Sequence, residues 1–231
     1  MKRFLLFCTL SLVSVGAFPL VVSAAVVEGG KEYTLKQGEH INGNLYIGAG
    51  TVAIAGTVDG DLVVGGGTVL YSGSTTKDVL IAGGTVSIAG SIEGDLRVLG
   101  GTVTIGGPVH GDVAVAGGQV RIESTATVDG DLLIAGGDVR VDGPVRGNII
   151  SGGGSVNIDS RVGGDVLIAA NSVALEKSTQ ILGDLHYRAP QKADIVEGAS
   201  IEGRTIYKES RKLAEIGLEV FFEKLFGLHA P

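Results

Sequence analysis

The sequence predicts an all-β fold: a right-handed parallel β-helix (solenoid) of about nine to ten coils, with a short C-terminal amphipathic helix. Three observations predict it. Glycine supplies 39 of 231 residues, while aromatic residues are 5% and Trp is absent. A pattern of 17 residues recurs from Ile41 onward. Within each unit the apolar residues come in pairs two apart, the spacing of a strand with one buried face.

The chain begins with Met1-Lys2-Arg3 and an uncharged apolar run, FLLFCTLSLVSVGAFPLVV, closed by small residues around Ala24. This is the layout of a secretory signal peptide over residues 1–24. An uncleaved anchor is the competing reading, since the run is long enough to span a bilayer. Cys8 lies too near the start, behind bulky Phe7, to serve as a lipid-bearing cysteine. Cleavage after Ala24 leaves 207 residues with 16 basic against 25 acidic side chains, a formal charge of −9. It also removes the one cysteine, so stability would come from burial and backbone pairing without cross-links. An acidic chain with scattered Arg and Lys has no electrostatic footprint for nucleic acid. The composition also excludes collagen, which needs Gly at every third position, and disorder, given a mean hydropathy of +0.36.

Residues 25–40 read as an N-terminal cap containing the strand-like Tyr33-Thr34-Leu35. The repeat domain covers 41–207. Its units run INGNLYIGAGTVAIAGT, VDGDLVVGGGTVLYSGS, TTKDVLIAGGTVSIAGS, IEGDLRVLGGTVTIGGP and onward to a partial unit at Ile201, with two-residue insertions in those beginning at Val109 and Val162. The consensus is [VI]-x-G-D-[LVI]-x-[VI]-x-G-G-x-V-x-[IV]-x-G-x. Apolar residues hold repeat positions 1, 5, 7, 12 and 14. Glycine at 3, 9, 10 and 16 separates them into two or three short strands, its freedom at positive φ suiting it to corners. One unit is too short to bury its own apolar face, so successive units must stack. At about 4.8 Å per coil the rod is roughly 45 Å long. The 4, 2, 5, 2, 4 spacing does not fit the six-residue period of left-handed hexapeptide helices, which favours the right-handed form.

Residues 208–231 read as the amphipathic helix. Lys212, Glu215, Glu219 and Glu223 make a polar stripe, while Leu213, Ile216, Leu218, Val220, Phe221, Phe222, Leu225 and Phe226 cover most of the remainder. So wide an apolar face must bury against the solenoid, a membrane surface or another copy.

Repeat position 4 forms an aspartate column: Asp61, Asp78, Asp95, Asp112, Asp131, Asp165 and Asp184, with Asn44 and Asn148. Neighbouring carboxylates at about 4.8 Å repel by roughly 1 kcal/mol even in water. Backbone N–H groups at the glycine corner are the expected compensation. A Ca²⁺ ladder on Asp95, Asp112 and Asp131 is the minor alternative. The enzymatic alternative, a polysaccharide lyase or hydrolase, would draw on His110, Asp112, Arg97 and Arg121. Yet these aspartates obey the repeat, and His40, His110, His186 and His229 do not cluster. No nucleophile–base pair or metal-ligand motif is present, so no catalytic or cofactor-binding residue is assigned. The Gly-Gly pairs recur without a following helix and are corners, not phosphate loops.

Repeat position 6 lies between two inward positions and should face out. It holds Tyr46, Val63, Leu80, Ala114, Leu133, Ile150 and Leu167, interrupted by Arg97 and His186. An outward apolar stripe of this length marks a partner surface. The terminal helix and another solenoid are equal candidates to cover it, so Tyr46, Val63, Leu80, Leu133, Ile150, Leu167, Leu218, Phe221, Phe222 and Leu225 are the candidate self-association residues.

Ladders of G-D-[LV]-x-[VI]-x-G-G-x-V-x-[IV]-x-G over Ile41 to Tyr207 resemble the bactofilins, the polymer-forming cytoskeletal proteins of bacteria. GDLHYRAPQKADIVEGASIEG, Gly183 to Gly203, looks like the closing coils of envelope-associated members. The resemblance implies a right-handed β-helix that associates end to end into filaments without bound nucleotide or other cofactor. The export signal and terminal helix depart from cytoplasmic members and point to the periplasm or cell surface. The expectation is thus a non-enzymatic structural protein of the cell envelope that partners itself, with membrane surface or cell-wall glycan as further partners. The alternative is a surface adhesin or glycan-binding rod.

Overall fold

A computed structural model describes residues 26–210. They form a parallel β-solenoid of eleven turns, with no helix among the described residues. The expected signal peptide and C-terminal helix, with Leu218, Phe221, Phe222 and Leu225, lie outside the described residues.

One long strand per coil stacks into a continuous parallel sheet: Val26–Leu35, Leu45–Ile54, Leu62–Tyr71, Val79–Ile88, Leu96–Ile105, Val113–Ile122, Leu132–Val141, Ile149–Ile158 and Val166–Leu175. Two shorter strands, Leu185–Ala189 and Thr205–Glu209, complete it. A second wall stacks repeat positions 17 and 1, from His40–Asn42 through Thr57–Asp59, Ser74–Thr75 and Ser91–Ile92. Single bridges carry it from Ile92 through Val109, Val128 and Val145 to Val162, where a second short sheet takes over.

Positions 5/7 and 12/14 therefore share one ten-residue strand, where separate short strands were expected. The five-residue step between 7 and 12 would send the two pairs to opposite faces of a straight strand. All four are nevertheless buried, as in Leu62, Val64, Val69 and Tyr71. The strand bends between them, and pairing skips position 10 in every long-strand coil: Ala49 pairs with Gly66 and Thr51 with Thr68, but Gly50 is passed over. The Gly-Gly pair is thus a bend within a strand.

The segment expected as a cap supplies a full first strand, Val26–Leu35, in parallel register with Leu45–Ile54. That raises the turn count above the nine to ten expected and lengthens the rod to roughly 50 Å at 4.8 Å per coil. The two insertions lie outside the strands, so Val113 still pairs with Leu132 and Val166 with Leu185. Each is a tight turn, closed by Ala126 N–H to Glu123 O at 3.0 Å and Thr179 N–H to Glu176 O at 3.0 Å. Ala126 and Thr179 are buried at repeat position 16, where other coils carry glycine or, in one, Ser160.

The core is a set of aliphatic ladders, and the column at position 5 (Leu45, Leu62, Val79, Leu96, Val113, Leu132, Ile149, Val166, Leu185) is essentially closed to solvent. Two interruptions stand out. Tyr71 takes an isoleucine's place, its hydroxyl 3.0 Å from Thr75 Oγ1 and 2.9 Å from Ser91 O. Burial pushes its phenol up to about 12, despite the opposing hydrogen bond to Thr75. Ser151 stands between Ile134 and Ile168 in column 7, buried and with its Oγ unpartnered.

Candidate functional site

The aspartate column is a hydrogen-bonded ladder. In every coil from Asn44 to Asp184 except that of Asp61, one side-chain oxygen accepts the backbone N–H of the column-4 residue in the next coil. The contacts run Asp95 N–H to Asp78 (2.9 Å), Asp112 N–H to Asp95 (3.0 Å), Asp131 N–H to Asp112 (2.8 Å) and Asn148 N–H to Asp131 (2.8 Å). They continue through Asp165 N–H to Asn148, Asp184 N–H to Asp165 and Arg204 N–H to Asp184. Bonds from N–H to a carboxylate contribute about 1.5–3 kcal/mol each, enough to outweigh the repulsion between neighbouring charges.

From Gly94 onward this ladder explains the glycine at position 3, and positive φ does not; at that position only Gly43 has positive φ. Among the described residues only Gly38, Gly43 and Gly198 have positive φ. A Cβ at Gly94, Gly111, Gly130, Gly147, Gly164, Gly183 or Gly203 would instead land on Oδ1 of the preceding coil's column-4 side chain. The exception supports the rule. Lys77 occupies position 3 in its coil, and there the bond from Asp78 N–H to Asp61 is missing, although Leu62 N–H still donates to Asp78 O at 2.9 Å.

The outer carboxylate oxygens are partly neutralised. Arg97 lies 2.9 Å from Asp95 and 3.6 Å from Asp78. Arg204 holds Asp184 at 2.7 Å. Its side-chain and backbone hydrogen bonds pull that carboxyl down to about 2. Among the described residues no group of three or more His, Cys, Asp or Glu is arranged to hold a metal, so Asp95, Asp112 and Asp131 are not brought together as a cation site.

The residues of the hydrolytic alternative are dispersed. His110, at position 2, has Nδ1 2.8 Å from Asp129 and Nε2 3.9 Å from Glu93. Asp129 continues to Arg146 at 3.1 Å. Arg121 belongs to another face, bound with Arg140 to Asp142 at 2.8 Å. These are polar ladders between adjacent coils, a pattern the repeat alignment contained at positions 2, 13 and 15 but which sequence reasoning passed over.

Position 6 stacks in register from Tyr46 through Val63, Leu80, Arg97, Ala114, Leu133, Ile150, Leu167 and His186 to Ile206. Leu80 is 44% and Leu167 41% exposed, while Tyr46, Val63, Ala114 and Ile150 are half-buried. Leu133 departs from the expectation of exposure. It is only 8% exposed, lying between Ala114 and Ile150 in register. A shallow depression of about 110 Å³ opens beside it, over Ala114 and Asp112. Position 8 widens the apolar face with Ala82, Leu99, Ala116, Ala135 and Ala169 on the same side of the strand.

The two ends differ. At the N-terminal end a carboxylate, Glu28, occupies column 7, where the next six coils carry Ile or Val, and it is exposed. Burial, then the charges of Glu28 and Glu39, raise the neighbouring Tyr33 phenol. At the C-terminal end three inward columns finish in Ile195, Ile201 and Tyr207, while column 5 finishes in the exposed Thr205; Ile195 is 42% exposed. Tyr207 stacks on Tyr187 with ring centroids 5.0 Å apart. Sequence periodicity could not rank the ends, because Glu28 and Tyr33 break the column pattern at one end and the step from Ile181 to Ile201 breaks the 17-residue spacing at the other. No protein-family model matches the chain, and no curated protein or solved structure does either.

Proposed function

We propose that this chain is an exported, non-enzymatic structural element of the bacterial cell envelope, bactofilin-like, which assembles with itself end to end. The observation that carries this reading is the C-terminal end of the solenoid. Three of its core columns stop at Ile195, Ile201 and Tyr207 with no further coil stacked on them among the described residues. A parallel ladder whose last coil presents apolar side chains is a template for another chain. An isologous contact between two such ends buries like against like. The regular aspartate ladder and the dispersed His110, Arg97 and Arg121 favour a scaffold over a catalyst. Right-handed winding belongs to the same proposal, because parallel strand crossovers are right-handed in about 98% of cases.

Sedimentation of the exported form tests it. Ile195→Asp with Tyr207→Asp should shift the protein to monomer at concentrations where the parent associates, with the strand signal in circular dichroism retained. Equal association of parent and variant would refute assembly through this end.

A further inference from the structure

We infer that the apolar face of columns 6 and 8 is the docking surface for residues 213–226 of the same chain. The face needs a cover, since Leu167 and Ile206 stand about two-fifths exposed along it. The segment, which lies outside the described residues, has in sequence a matching need: Leu213, Ile216, Val220, Phe221 and Leu225 recur at helical spacing.

Three observations select this occupant. The last described strand, Thr205–Glu209, runs through positions 5 to 9, so the described chain ends at the bend that borders this face. The lengths agree: Leu213 to Leu225 spans about 18 Å as a helix. The column from Ile206 through His186, Leu167 and Ile150 to Leu133 spans about 19 Å at 4.8 Å per coil. The charges also agree. The end of the face nearest the last described strand carries Arg188 and Lys208, and the polar edge of the segment carries Glu215, Glu219 and Glu223 against one cation, Lys212. Docked this way, the segment covers the side of the rod and leaves its C-terminal end open. The inference does not depend on assembly and concerns the monomer.

Hydrogen–deuterium exchange of the full chain, at concentrations where sedimentation shows monomer, tests it. Amides of 213–226 should exchange at least about tenfold more slowly than an unstructured peptide. Ile150→Glu with Leu167→Glu should abolish that protection while strand Val166–Leu175 stays slow. Leu80→Glu, beyond the reach of the segment, should leave it intact. If the double variant loosens the strand itself, Leu167→Gln replaces it as the probe. Four results each overturn the proposal: fast exchange of 213–226 in the parent, protection that survives the face variants, protection that grows with protein concentration, and protection that appears only on added anionic vesicles.

Discussion

At Gly94 the absence of a side chain is required by the preceding coil. The Oδ1 atom that receives the Asp95 amide sits where the Cβ of residue 94 would be. Gly94→Ala should therefore destabilise the rod by about 1–3 kcal/mol, because it strains the corner and removes a charged hydrogen bond. Thr104→Ala, half-buried at position 13 with no such bond, is the comparison in thermal denaturation. Lys77 supplies the converse. Lys77→Gly should slow exchange of the Asp78 amide by letting Asp61 reach it, and Lys77→Ala should not. Sequence reading found these glycines but gave them the wrong cause. Spacing shows that a side chain is excluded, not which atom excludes it. The same gap explains Leu133: alternation assigns a face, whereas burial depends on which residues stand above and below.

At the scale of strands and coils, column 7 carries a buried hydroxyl without a partner, Ser151, between Ile134 and Ile168. Ser151→Ala removes an unpartnered polar group and should raise unfolding free energy by about 1 kcal/mol, as measured by chemical denaturation; a loss would reveal a hidden partner. The final coil is clamped by Arg204 on Asp184. That carboxyl lies at about 2, below the ordinary 3.8, so its contribution is complete above about pH 4 and is lost as pH falls through about 2. Amides of Thr205–Glu209 should therefore stay protected near pH 3 in the parent. In Arg204→Ala they should already open there. The repeat made the coils legible wherever five apolar columns recur. It failed at the first coil, because Glu28 and Tyr33 break the column pattern and only backbone pairing with Leu45–Ile54 reveals the strand. It also divided the long strand, since a bend and a break leave the same mark in sequence.

At the scale of the whole molecule, the account describes a rod with three kinds of surface. The aspartate column is bound up in its own ladder, and the polar ladders of positions 2, 13 and 15 join coil to coil. The apolar side face is assigned to the chain's own C-terminal segment. The ends remain, one guarded by Glu28 and the other finishing in Ile195, Ile201 and Tyr207. The charge of Glu28 was legible in the sequence, whereas the finish at Ile195, Ile201 and Tyr207 emerges only from the pairing of the last coil. Electron microscopy of the protein without residues 1–24, at micromolar concentration, tests the central claim most directly. The account predicts particles joined end to end, longer than the roughly 50 Å of a single rod. A monodisperse field of single rods, unchanged as concentration rises, would contradict it.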